Sequence, residues 1–302
     1  MKLSILAIVS TVTCIAAAAA CGSSSGGGFG SGGGGGDSGT GGGGEGGAVG
    51  DGGNGSETSS SLPYVGEVTA AKDGTVFALT GAFFPTPATM PSTPTCPSTG
   101  TPSGSCCYLP PATTSDGGVV SDGGTTETAA SAGTITIKDG TANIAALSPL
   151  PNGGGYGITG NGTNNPSVTW KPGDALSIAA AGSTVDAFTG SLTTVDDFAG
   201  VTPALSTTAT TVPRSTNLAI SWTAANGTNI TAVLAVKSGT ITCQVSDSAG
   251  AISMPSALLG MLTTAQEGVL TLSRSASTTV TGPNATVTLI GTTSTAGLIK
   301  TM

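Results

Sequence analysis

From Gly22 to Ser61 roughly half of the residues are glycine, and most of the others are Ser, Thr, Asp or Asn. Such a stretch has almost no apolar area to offset the entropy of ordering its backbone, so it is expected to be a disordered tether, and any core must come from residues 62–302. As a flexible coil of about 40 residues it would span on the order of 35 Å root-mean-square and at most about 130 Å. Residues 62–302 are a usual size for one β-sandwich. There the places commonly held by Lys and Glu are taken by Thr, Ser, Gly and Ala, and the charged fraction of the chain is only 8%. Thr and Val branch at Cβ, which suits a pleated sheet and restricts a helix.

The same composition excludes several functions. With eight Lys and Arg and a net charge of -8 there is no basic face to neutralise a phosphate backbone, so nucleic acid is not an expected partner. The shortage also leaves no polybasic stretch to attract anionic lipid, so membrane attachment must have another source. The chain contains no histidine. This removes the commonest general base and metal ligand, and no S-x-x-K occurs to offer a serine–lysine alternative. No cofactor and no metal are expected.

Met1 and Lys2 form a short positive start, and Leu3 to Ala17 an apolar run too short to cross a bilayer as a helix. Residues 1–20 therefore read as a cleaved signal peptide. Ala18, Ala19, Ala20 and Cys21, followed by Gly22, resemble a bacterial lipobox, although Ala18 stands where such motifs usually have Leu. That resemblance implies acylation of Cys21, which becomes the N-terminus of a lipid-anchored tether over residues 21–61. Ordinary cleavage after an Ala-x-Ala site and free secretion is the alternative.

Beyond Leu62, short runs of Val, Ile, Leu, Phe and Thr are bounded by Gly, Pro, Asn and Asp, as in antiparallel β proteins. The expected fold is an all-β antiparallel sandwich over 62–302 with one short helix. Candidate strands are 75–83, 134–138, 167–170, 175–180 and 185–188. Period-two alternation then places Leu218, Ile220 and Trp222, Ile230 to Val236, Ile241 to Val245, Leu270 with Leu272, and Ala285 to Leu289 on core faces. Ser253 and Pro255 announce a helix whose apolar stripe is Leu258, Leu259, Met261 and Leu262. Asn226–Gly227 reads as a turn between strands, and the Pro- and Thr-rich segment of about 84–127 as a long irregular loop.

Setting aside Cys14 in the signal and Cys21, the six cysteines reduce to Cys96, Cys106, Cys107 and Cys243. In an exported chain these are expected to form disulfides, Cys96 with one of the adjacent pair and Cys243 with the other. A zinc site lacks the C-x-x-C spacing it needs, and a reactive vicinal pair lacks a nearby cation to stabilise a thiolate.

Candidate ligand-binding or catalytic groups are few. Trp170, ahead of Lys171, Pro172 and Gly173, is expected exposed at a strand end and could form a sugar-stacking platform with Tyr156. Glycoside hydrolysis would need paired carboxylates, and adjacent Asp196 and Asp197 are the most obvious pair, with Glu67, Asp174, Asp186, Asp247 and Glu267 elsewhere. Asp116 and Asp122, each before two glycines, read as turn residues rather than calcium ligands. Gly155, Gly157 and Gly160 satisfy G-x-G-x-x-G without a following helix, which also reads as a turn. The sequons at Asn54, Asn161, Asn226, Asn229 and Asn284 reflect Thr-rich composition.

With the tether, the segment Cys96–Cys107 running into Tyr108, Leu109, Pro110 and Pro111, the segment Trp170–Asp174 and the run Cys243–Leu259, the chain resembles uncharacterised glycine-tethered lipoproteins of myxobacterial type. The likeness covers most of the folded region and implies an exported, outer-membrane-anchored protein facing periplasm or cell surface, with no implied activity. The expected function is a non-catalytic binding or scaffolding module whose partners are the membrane, through its lipid, and envelope proteins or glycans. A carbohydrate-binding sandwich and a carboxylate-dependent glycosidase are the alternatives.

Overall fold

The structure, a computed structural model, describes residues 62–86, 96–111, 129–151, 155–160 and 165–302. The expected signal peptide, Cys21 and the tether lie outside the described residues, as do Asp116, Asp122 and residues 87–95 and 112–127 of the expected loop.

The fold is all-β. The strands are β1 (Tyr64–Asp73), β2 (Val76–Pro85), β3 (Thr101–Ser103), β4 (Cys106–Leu109), β5 (Ile135–Asp139), β6 (Ala142–Leu147), β7 (Tyr156–Gly160), β8 (Ala175–Ala180), β9 (Phe188–Thr193), β10 (Thr210–Val212), β11 (Leu218–Ser221), β12 (Asn229–Val236), β13 (Gly239–Ser246), β14 (Ala251–Met254), β15 (Glu267–Thr281) and β16 (Ala285–Thr301). A single helical turn, α1 (Ser256–Leu259), separates β14 from β15. The main sheet has the order β3-β4-β13-β12-β15-β16-β1-β2-β7, with β10 also paired to β16. A four-stranded sheet, β6-β5-β8-β9, and the ribbon β11-β14 complete the layers. Pairing is antiparallel except that β1 and β10 both run parallel to β16, β1 along Ala285–Ser294 and β10 along Ile299–Thr301.

The hairpin β15–β16, with strands of 15 and 17 residues, runs through two separate cores. One end carries Val287 and Leu289 into a core with β1, β2 and the four-stranded sheet, where Val68, Leu79, Phe83, Ile137, Leu176 and Ile178 are buried. The other end carries Leu270, Leu272 and Ile299 into a core with β12, β13, the ribbon and α1, where Ile220, Leu234, Ile241, Met254 and Leu259 are buried. Each such aliphatic side chain contributes roughly 1.5–3 kcal/mol when fully removed from water, so both cores are needed to order a sheet this wide.

Several expectations are corrected. Residues 167–170 are not a strand, because Pro166 and Pro172 bracket them; Val168 and Trp170 are buried as loop side chains, so their alternation reports burial without pairing. Residues 185–187 are also loop, and the strand begins at Phe188. The G-x-G-x-x-G segment is strand β7, not a turn, with Gly155 at φ +85° preceding it. The segment 84–127 is not wholly irregular, since Phe84 and Pro85 end β2 and the hairpin β3–β4 lies within it. Ser253 belongs to β14 and does not cap α1; Asn217 does so from a distance, its Oδ1 accepting the Ser256 N–H at 2.8 Å. Leu258, Leu259 and Leu262 are buried, whereas Met261 is exposed. Asn226–Gly227 does lie between two strands, β11 and β12, which do not pair with each other: β11 pairs with β14, and β12 with β13 and β15.

The layers meet closely where β9 crosses the hairpin. A Cβ on Gly190 would fall within 2.7 Å of Leu289 Cδ1 and collide with Val280 Cγ2. Gly190→Val is therefore expected to force the four-stranded sheet off β15–β16 and to cost about 1–3 kcal/mol. Urea unfolding checks this: the midpoint should fall while the slope is unchanged.

Candidate functional site

The two fully buried charged side chains among the described residues meet at the seam between the two cores. Along β15 the inward positions run Leu270, Leu272, Arg274, so period two delivers a guanidinium into a row of leucines. Arg274 is fully buried, and so is Asp247, in the 3₁₀ turn after β13. Arg274 Nε lies 3.1 Å from Asp247 Oδ2, a charge contact not aligned as a hydrogen bond. Its other nitrogens donate to backbone carbonyls: Nη1 to Asp196 at 2.9 Å and Asp197 at 3.0 Å, and Nη2 to Thr223 at 2.7 Å. Phe198 stacks under the guanidinium, 4.6 Å from ring centroid to Cζ.

Asp247 is equally occupied. Oδ1 accepts the indole N–H of Trp222 at 2.9 Å, and Oδ2 accepts the backbone N–H groups of Ala225 at 3.0 Å and Gly227 at 3.1 Å. Asn226 extends the network, accepting the Asp196 N–H and donating to the Thr194 carbonyl. Asp197 reaches the rim, where Lys72 donates to both of its oxygens at 2.8 and 2.6 Å and Thr293 to one at 3.2 Å. Three loops are thus held on one buried cation. The pair of carboxylates considered for glycosidic chemistry is part of this joint: Asp196 and Asp197 sit in a loop, not on a strand, and their backbone carbonyls hold Arg274. Asp247 was legible only as a turn carboxylate; the Leu270–Leu272–Arg274 alternation was the available signal for the joint.

The expected sugar platform does not form. Trp170 is 6% exposed, its ring edge-on to Phe77 at 4.8 Å between centroids. Tyr156 is 4% exposed, edge-on to Phe83 at 5.8 Å, with its hydroxyl accepting the Ala132 N–H at 2.8 Å. Both rings fill the first core because the scarce aromatics are the largest apolar groups available there, so neither offers a face to a ligand.

The cysteines resolve to two disulfides, Cys96–Cys107 and Cys106–Cys243. Successive residues of β4 point to opposite faces, so Cys106 turns into the second core, 4% exposed, towards Cys243, which is fully buried, while Cys107 turns outward to Cys96. Zinc binding and a vicinal thiol pair are thereby replaced by two structural bonds. Beside them lies a cavity of about 440 Å³ lined by Pro97, Pro102, Ser105, Leu109, Thr242 and Gln244 along with half-cystines. These groups are neutral, and they can hold a neutral surface or chain but offer no acid, base or nucleophile. Of the remaining carboxyls, burial raises Glu67, an effect that its hydrogen bond from Thr69 reduces, and burial likewise raises Asp73, with Ser294 opposing.

The chain matches no known protein-family model and no curated protein.

Two outcomes are expected. Asp247→Ala leaves Arg274 buried without its counter-charge and should cost about 3–5 kcal/mol in denaturant unfolding, whereas a change at the rim, Lys72→Gln, should cost at most about 1 kcal/mol because the Asp197 side chain is 53% exposed. Mild reduction with a small thiol followed by alkylation should label Cys96 and Cys107 before Cys106 and Cys243. Peptide mapping would contradict this ordering if all four labelled together.

Proposed function

We propose that the protein is a non-catalytic lipoprotein of the cell envelope, acylated at Cys21, tethered through its glycine tract and presenting a β-sandwich that binds or scaffolds at the outer membrane or cell surface. The observation that carries this reading is a disulfide-bonded domain behind an N-terminus with the form of an export signal and a lipidation motif. Disulfides persist in oxidising compartments outside the cytoplasm, which agrees with export. The acyl chains of a diacylglyceryl group would hold the chain firmly, since each buried methylene contributes about 0.8 kcal/mol.

The character of the domain supports binding over catalysis. Its buried charges are spent on the joint between the cores, and its two most promising rings on the first core. On the main sheet, Thr231, Ser273, Ser275, Thr292 and Gln244 alternate with core residues and so face away from both cores. This hydroxyl-bearing face, with Glu67 and Asp73 of β1 at its side, suits envelope proteins or glycans, which are the partners proposed.

Intact mass of the N-terminal peptide from the native envelope tests the reading. A diacylglyceryl modification on Cys21 is expected, and Cys21→Ser should abolish it and move the protein from the membrane to the soluble fraction. An unmodified native Cys21 in freely soluble protein would refute it.

A further inference from the structure

We propose that the end of the main sheet where β16 finishes is a tip that rests on an anionic lipid surface. This deepens the tethered reading and rests on it for placing the domain beside a membrane. Two independent observations meet there. The large hydrophobic side chains exposed among the described residues are Leu150, Met261, Leu298 and Met302, and all but Leu150 lie at this end, with Met302 64% exposed. Of the eight Lys and Arg in an acidic chain, Arg214, Lys237 and Lys300 are also there.

The hydrogen bonds fix the grouping. Lys300 pairs in register with Glu267, next to Gln266, whose side chain accepts from Ser238, the neighbour of Lys237. Thr301 donates to the Thr263 carbonyl, two residues beyond Met261. The Arg214 backbone N–H donates to the Met302 carbonyl, and its guanidinium donates to the carbonyls of Leu259 and Gly260. Glu267 is the acidic side chain in register there, and among the described residues no salt bridge engages Lys237 or Lys300.

Cations beside flexible, exposed thioether and leucine side chains match a bilayer interface, where phosphates meet ammonium groups and apolar chains enter the headgroup boundary. A fluid surface requires no shape complementarity from a strand end.

The test uses the mature chain carrying Cys21→Ser, so that no acyl chain contributes, in co-sedimentation with phosphatidylglycerol-containing and with phosphatidylcholine vesicles. Binding is expected to the first, to weaken with added salt, and to fall about fivefold with each of Lys237→Gln and Lys300→Gln. Met261→Ser combined with Met302→Ser should weaken it further, while Lys138→Gln, on β5, should leave it unchanged. All these side chains are exposed apart from the half-buried arginine, which is left intact, so thermal melting should be unaltered in every variant. No binding to phosphatidylglycerol vesicles, or binding that neither pair of substitutions reduces, would overturn the proposal. The state of native Cys21 is read separately by mass, so loss of the anchor reading and loss of the tip are distinct results.

Discussion

The arrangement of this domain depends on a single buried cation. Arg274 sits in the inward row of β15 at the point where the hairpin leaves one core for the other, and its fork satisfies carbonyls from the loops after β9 and β11, while Asp247 brings in the turn after β13. A hydrophobic side chain there could fill space, but it could not hydrogen-bond the backbone of those loops. An ion pair of this kind contributes little net stability, since desolvating two charges offsets much of their attraction. Its value lies in geometry: unpaired buried groups are costly, so the carbonyls that Arg274 satisfies and the N–H groups that Asp247 satisfies favour one arrangement of the loops.

That constraint explains how two modest cores act together. The four-stranded sheet covers one end of β15–β16, and the ribbon with α1 covers the other. Between them Thr293, register partner of Arg274, and Asp197 carry the polar contacts out to Lys72 at the surface. The disulfides secure the far edge, one inside the second core and one outside it, so that a three-residue edge strand containing Pro102 is held without a long ladder of hydrogen bonds.

Function follows from what these commitments leave over. A chain with so few ionisable groups has placed its deepest pair in a joint and its tryptophans in cores, leaving neutral hydroxyls across the open sheet and a few cations at one tip. Such a surface is suited to holding and positioning, and attachment by lipid would supply the affinity that its own side chains do not.

Much of the fold was legible because period-two alternation in β8, β12 and β13 is undisturbed, and because adjacency of Cys106 and Cys107 disfavours their bonding to each other. The parallel partnership of β1 with β16 was not legible, since it joins segments more than two hundred residues apart and a run of Val, Thr and Ala carries no record of its neighbour. Trp170 illustrates the other gap: Lys171, Pro172 and Gly173 describe a local chain reversal but not the Phe77 ring that closes over the indole. Composition and local pattern by themselves determined the class of fold and the scarcity of reactive groups, because those depend on side-chain chemistry read a few residues at a time. Which strands meet, which rings are buried, and that three sparse cations share one end were decided only by tertiary structure, because those depend on contacts between segments that the chain brings together from far apart.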